Sequence, residues 1–195
     1  MNKINLFYAS LEPIYSNFDK YLKKLSSKRQ RKILSMKDFD AKVHSLGGAL
    51  LLNEAALRMG IDLQEVLYTD KGKPYLEDNS FYFSISHSKG FALCSFGKIE
   101  SGCDIQVKRS VNLKIAERFF SEAERKVVFE SKNQSDEFLK TWCLKESAYK
   151  LVGVNDCVIQ NKYGIVFKEY NVSEDFYITV CAFENAFNEP EKIEF

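Results

Sequence analysis

Residues 138–153, Phe-Leu-Lys-Thr-Trp-Cys-Leu-Lys-Glu-Ser-Ala-Tyr-Lys-Leu-Val-Gly, leave the backbone little choice. At 3.6 residues per turn they read as one helix, and Gly153 supplies its C-terminal stop. The same spacing sets Trp142, Glu146 and Lys150 on one stripe and points Lys145 elsewhere. A carboxylate and an ammonium therefore share one helix face. An exposed Glu–Lys pair at this spacing is common and stabilises a helix by only about 0.3–0.5 kcal/mol. The stripe gains chemical meaning only from partners elsewhere in the chain.

With 195 residues the chain fits one domain or two small, closely packed halves, and 45% hydrophobic and 14% aromatic content suffices for a core. It contains no apolar run of about 18 residues. Residues 1–10 lack the long apolar region and cleavage site of a secretory signal, so the reading is a cytoplasmic protein without membrane contact. The five cysteines, Cys94, Cys103, Cys143, Cys157 and Cys181, are scattered among apolar neighbours with no Cys-x-x-Cys spacing. Reduced, buried thiols are expected. Two histidines, His44 and His87, far apart in sequence, argue against a zinc cage or a Cys–His nucleophile.

A net charge of +1 hides an uneven distribution. Residues 20–42 hold nine basic side chains against Asp38 and Asp40, whereas residues 169–195 hold seven acids against Lys192. The basic stretch suits a phosphate-rich ligand, a nucleic acid or an acidic protein, or is a solvated helix face needing no partner.

Along the chain, residues 3–9 alternate as a first strand, Pro13 breaks the run, and residues 15–24 begin a helical pattern. Ser26 or Ser27 caps a second helix reaching about Met36, with Lys28, Arg29, Arg31 and Lys32 on its first turns. Cations at a helix start oppose its dipole, which hints at an anion to be met. Residues 39–59 form the best core helix of the first half, with Leu46, Leu50, Asn53 and Leu57 on one face and Gly60 at its end. Residues 71–74 read as a turn, and residues 81–85 and 91–96 as a hairpin whose connecting loop carries His87.

Residues 99–107 read as a strand, and the two-residue period puts Asp104 and Gln106 on one sheet face with Ile105 on the other. Residues 112–119 follow as a helix, and Ser121-Glu-Ala-Glu124 matches a capping box for another through about Glu130. Beyond Gly153 come short strands at residues 164–167 and 176–180, and the tail from Asn185 is acidic and weakly patterned. The pattern is α+β, in two halves of similar build: residues 1–97 and 98–195.

Asp104 on a strand and Glu146 on a helix are hard oxygen ligands suited to magnesium with several waters retained. Lys28, Arg31, Lys73, Lys150 and His87 are the cations and donors that a polyphosphate needs. Carboxylates alone would repel such a ligand, and a divalent ion between them reverses the sign, each unit-charge pair counting for about 4 kcal/mol at 4 Å and an effective dielectric near 20.

Gly72-Lys-Pro74, Phe83-Ser-Ile-Ser-His-Ser88, Gly102-Cys-Asp-Ile-Gln106, Phe119-Phe-Ser-x-x-Glu124 and Trp142-Cys-Leu-Lys-Glu-Ser-Ala-Tyr-Lys150 stand in the order and spacing of the 4′-phosphopantetheinyl transferases. The chain resembles most the longer, monomeric type that activates peptide and polyketide synthases. The resemblance implies a pseudo-dimeric α+β fold that binds coenzyme A in the cleft between its halves and moves the phosphopantetheine arm to a serine of an apo acyl or peptidyl carrier protein, releasing 3′,5′-ADP.

The same resemblance implies that Asp104 and Glu146, with Gln106 two residues on, hold magnesium or manganese. It also gives Lys150 to the pyrophosphate and Ser86 and His87 to phosphates, with Lys28, Arg31 and Lys73 adding charge around them. Glu146, or a water it orders, is the candidate base.

Three departures stand out. Gln106 occupies a position where many members carry a carboxylate, and Ser84 one where asparagine is commoner. Val43 falls where an arginine usually meets the 3′-phosphate, leaving Lys42 and His44 on either side as candidates. The alternative reading is a protein that binds coenzyme A or a carrier without transfer, supported by Gln106 alone. Nucleic-acid binding is set aside, since the basic run has no aromatic between Tyr21 and Phe39.

Overall fold

A computed structural model describes residues 3–63, 66–69, 74–77, 80–154, 158–159 and 161–195. In chain order the elements are β1 (Ile4–Ser10), α1 (Glu12–Ser16), α2 (Phe18–Leu22), α3 (Ser27–Leu34), α4 (Phe39–Arg58), β2 (Val66–Tyr68), β3 (Pro74–Leu76), β4 (Tyr82–Ser88), β5 (Phe91–Gly97), β6 (Gly102–Val107), α5 (Lys114–Phe119), α6 (Glu122–Glu130), α7 (Gln134–Val152), β7 (Val166–Tyr170), β8 (Phe176–Ala182) and β9 (Phe187–Ile193). The class is mixed α+β. Among the described residues no helix is long and apolar enough to cross a membrane.

Two sheets carry the fold, one ordered β4-β5-β1-β9 and the other β6-β8-β7, with β2 and β3 forming a separate hairpin. Strand periodicity decides which faces are apolar. In β1, Phe7 and Ala9 point into the core under α4, while Ile4 and Leu6 point into a second core shared with Ile105, Ile178 and Val180 of the other sheet. In β8, Cys181 turns the opposite way, to pack with Ala148 and Leu151 of α7. The order of layers is therefore α4, first sheet, second sheet, α7.

Local signals set most element ends. Ser26 caps α3 by accepting from the Arg29 amide, and Asp38 caps α4 by accepting from the Ala41 amide. Both halves of the capping box at Ser121 and Glu124 are made. α7 begins four residues earlier than the apolar pattern suggests, at Gln134, and ends as expected at Gly153 in the left-handed region.

Several expectations are corrected. Pro13 sits within the first turn of α1, where its missing N–H costs nothing, rather than ahead of the helix. In α4, Leu57 is 70% exposed and Asn53 is exposed too; the buried face runs through Val43, Leu46, Leu50, Leu51 and Ala55 instead. His87 lies within β4, not on a loop. The hairpin turn is only Lys89 and Gly90, both at positive φ, the backbone twist that two-residue hairpins favour. The strand bearing Asp104 starts at Gly102 rather than at residue 99. The weakly patterned acidic tail holds a strand, β9, whose residues pair in parallel with β1 at that sheet's edge. The turn proposed at residues 71–74 includes Lys71, Gly72 and Lys73, which lie outside the described residues, as does Cys157. The other four cysteines are buried free thiols.

Candidate functional site

The site begins with a residue that has no side chain. A Cβ on Gly102 would stand 1.9 Å from the Ser147 carbonyl oxygen and 2.9 Å from the Leu151 nitrogen. Glycine therefore lets α7 lie directly on β6. At that separation the two elements exchange contacts along their length. Cys143 Sγ donates to the Asp104 carbonyl at 3.2 Å, and Lys150 Nζ donates to the Cys103 carbonyl at 2.9 Å.

Asp104 is only 2% exposed, yet three donors converge on its carboxylate. Ser86 Oγ gives its proton to Oδ1 at 2.5 Å, Lys150 Nζ reaches the same oxygen at 2.8 Å, and Gln106 Nε2 donates to Oδ2 at 2.8 Å. Gln106 thus faces the same way as Asp104, as its spacing predicts. Its carbonyl is turned to Arg109, whose guanidinium donates to it at 3.4 Å and to the Val107 carbonyl at 2.9 Å.

Glu146, half-buried one turn before Lys150, completes the acidic pair. Burial and the neighbouring charge of Asp104 push its carboxyl above the usual value, against the pull of Lys150 and Lys145. Burial works against the Lys150 ammonium, but Asp104 and Glu146 raise its pKa above the ordinary lysine value all the same. Two carboxylates, one buried and one disfavoured by its neighbour's charge, with an amide beside them, form a set of hard oxygen donors whose repulsion a divalent cation would relieve. In that chemical sense the residues fit magnesium. Among the described residues no group of three or more His, Cys, Asp and Glu side chains is gathered as a ready-made cage.

On the β4 side, His87 and His44 stack with ring centroids 4.7 Å apart and planes 14° from parallel. Sequence separation hid this pair. Burial and the partner ring, with Lys150 beyond it, depress the His87 pKa, and burial does the same to His44. His44 Nε2 is buried without a hydrogen-bond partner among the described residues. Lys28 and Arg31 lie on the exposed part of α3, and Lys42 is partly exposed on α4. Arg29, absent from the sequence-derived candidates, reaches from α3 to α4, donating to Ser45 Oγ at 3.1 Å beside His44. Lys73 lies outside the described residues. An apolar cavity of about 280 Å³ opens beside β3 and β4, but none of Ser86, His87, Asp104, Glu146 and Lys150 lines it.

The remaining residues of the α7 stretch support rather than line the site. Trp142 packs with Phe119, Phe120 and Phe138. Lys145, on the other side of the helix, is buried and donates to both oxygens of the fully buried Glu124, at 3.3 and 3.0 Å. Glu124 also accepts the Ser121 and Val158 amides. Sequence reading missed this ion pair and the Arg109 contact, since neither follows from local spacing. The alternation of Ser84, Ser86 and Ser88 was the one available signal that β4 presents a hydroxyl face.

Known proteins match the same stretch of the chain. The family model described as "4'-phosphopantetheinyl transferase superfamily" matches residues 100–182, a span that contains Asp104, Gln106, Glu146 and Lys150. The 4′-phosphopantetheinyl transferase gsp of Aneurinibacillus migulanus is 29% identical over 147 residues, covering 72% of this chain and 61% of that protein. The 4′-phosphopantetheinyl transferase Sfp of Bacillus subtilis strain 168 is 31% identical over 119 residues, covering 58% of this chain and 53% of that protein. A further Bacillus subtilis 4′-phosphopantetheinyl transferase is 26% identical over 168 residues, covering 73% of this chain and 75% of its own length. The chain thus spans between half and two thirds of the first two relatives. With Asp104, Gln106, Glu146 and Lys150 falling inside the matched span, the chain is similar to the 4′-phosphopantetheinyl transferases over the stretch that builds this part of the site.

Proposed function

We propose that this protein transfers the 4′-phosphopantetheine group of coenzyme A to a serine hydroxyl of an apo acyl or peptidyl carrier protein, with magnesium as cofactor and 3′,5′-ADP as leaving group. The observation that carries the reading is the meeting of Asp104 and Lys150 across β6 and α7, beside a Glu146 whose carboxyl is disfavoured by Asp104's charge. Similarity to the 4′-phosphopantetheinyl transferases suggests the reaction class.

In the proposed reaction the serine oxygen forms a bond to the phosphorus attached to pantetheine, while the phosphorus–oxygen bond on the ADP side breaks. Such transfers need chiefly positioning and charge neutralisation. Magnesium, when bound, offsets the negative charge of the diphosphate, and Asp104 and Glu146 are the residues to hold it, with the Gln106 amide beside them. Glu146, directly or through a water, takes the serine proton; its raised pKa makes it a stronger base than an ordinary carboxylate. Two of the three N–H groups of Lys150 go to Cys103 and Asp104, which leaves one for a diphosphate oxygen as charge grows on the departing ADP. His87, His44, Lys28, Arg31, Lys42 and Lys73 form the anion-binding side, where a phosphate dianion would favour the histidines' charged form. The division at Gly97 and a cleft between two similar halves fit a plan in which each sheet carries one long helix, α4 or α7. We read the protein as a cytoplasmic monomer that uses neither nucleic acid nor membrane.

The test is direct. Purified protein, coenzyme A, magnesium and an apo carrier protein are mixed and the carrier is weighed by mass spectrometry. A gain equal to one phosphopantetheine is expected. Coenzyme A binding with no mass gain on any carrier would replace the enzyme by a binding protein.

A further inference from the structure

The two sheets meet edge to edge in a way that backbone pairing does not explain. β4 is an edge of the first sheet and β6 an edge of the second. Between them the hydroxyls of three alternate serines stand in for carbonyls. Ser84 Oγ accepts the Cys103 amide at 3.2 Å, Ser86 Oγ the Ile105 amide at 3.4 Å, and Ser88 Oγ the Val107 amide at 3.1 Å. The offset is constant at 19 residues, so the strands run parallel, one hydroxyl apart. Every amide of β6 on that side is satisfied, which a buried edge requires.

Each serine hydroxyl also has one proton to give. For Ser86 the recipient is Asp104 Oδ1 at 2.5 Å, a short bond of the kind made to a charged acceptor. Ser86 is 5% exposed, and this single proton is already spent. We propose that Ser86 is a positioning residue rather than a phosphate contact: locked at the sheet joint by the Ile105 amide, its hydroxyl fixes the Asp104 carboxylate toward α7. Ser84 and Ser88, which bond the same strand on either side, hold the joint without touching the carboxylate. The joint between sheets and the alignment of the acidic residue are thus one structure. This rests on the reading of Asp104 as a metal ligand only for its functional consequence; the Ser86–Asp104 contact stands apart from it.

The experiment separates the two. In metal-free buffer, melting temperatures are measured for Ser84→Ala, Ser86→Ala and Ser88→Ala, each with Asp104 present and with Asp104→Ala. The loss caused by Ser86→Ala is expected to shrink by at least half once Asp104 is alanine, while the losses at positions 84 and 88 stay unchanged. Equal losses at position 86 in both backgrounds, or the same shrinkage at all three positions, would overturn the proposal. Should Ser86→Ala not fold, Ser86→Thr, which keeps the hydroxyl, and Ser86→Cys, which keeps only a weak donor, carry the same cycle.

Manganese binding, followed by electron paramagnetic resonance with manganous chloride as the probe, then reads the consequence. Ser86→Ala is expected to weaken it about tenfold, Ser84→Ala and Ser88→Ala by no more than about twofold, and Ser86→Thr to restore it. Equal weakening by all three serines would overturn the positioning role. If the unsubstituted protein binds no manganese, the metal reading fails and the melting cycle alone decides the place of Ser86.

Discussion

Glu146 shows what it costs to place a carboxyl in a partly buried position beside a second carboxylate. The Glu146 carboxyl is raised by burial and by Asp104, so this group favours the folded state fully only below the ordinary carboxylate pKa, and that contribution is lost as pH rises through the raised value. Glu146→Gln is therefore expected to melt about 1–3 °C higher than the parent at pH 7–8 in metal-free buffer, with the difference vanishing near pH 4. In the carrier assay the same variant is expected to lose nearly all turnover. Wild-type turnover would remove Glu146 from the mechanism. Gln106 behaves oppositely: its amide donates to Asp104, and Gln106→Glu replaces that donor by a third negative charge. The magnesium concentration for half-maximal rate is expected to fall, and the metal-free melting temperature with it; an unchanged magnesium requirement would mean that position 106 does not address the ion. The sequence disclosed which of these side chains share a face, because Asp104 and Gln106 obey a two-residue period and Glu146 and Lys150 a four-residue one. It did not disclose that His44 stacks on His87, since they stand 43 positions apart and no local periodicity relates a helix to a strand.

Among the elements, α7 has two faces with different duties. One rests on β6 at Gly102, where an added methyl would enter the Ser147 carbonyl. Gly102→Ala must shift a helix backbone rather than a flexible side chain, so we expect a loss of about 1–3 kcal/mol or more in denaturant unfolding, together with a strong fall in activity. Retained stability and full activity would mean that α7 does not need this close approach. The other face carries Lys145 to Glu124. Removing one partner of a buried pair strands the other's charge, so Lys145→Met is expected to cost about 3–5 kcal/mol, read by urea unfolding. Helix starts and stops were legible, because Ser26, Asp38, Ser121 and Gly153 act on their own neighbours. The buried face of α4 was not: the helix is apolar on several sides, and its packing against the sheet selected Leu51 and Ala55 over Leu57.

At the scale of the molecule, the chain's last strand returns to its first. β9 pairs in parallel with β1, so residues from the acidic tail complete a sheet otherwise built from the first hundred residues. Tyr170 of the second sheet donates its hydroxyl to the Asn188 carbonyl of β9 at 2.5 Å, tying that strand to its neighbour. This closure was illegible, because parallel pairing between distant segments leaves no mark on either beyond short apolar alternation, which the acids of β9 obscure. What the sequence determined by itself was everything governed by neighbours along the chain: the long helix with its stripe, the caps, the alternate faces of β6, and through its motifs the resemblance to the 4′-phosphopantetheinyl transferases. What only the tertiary structure decided was which of those faces meet. The serine joint between β4 and β6, the approach of α7 at Gly102 and the stacking of the two histidines depend on distances between segments, and those are set by how two sheets and two long helices bury their apolar faces together.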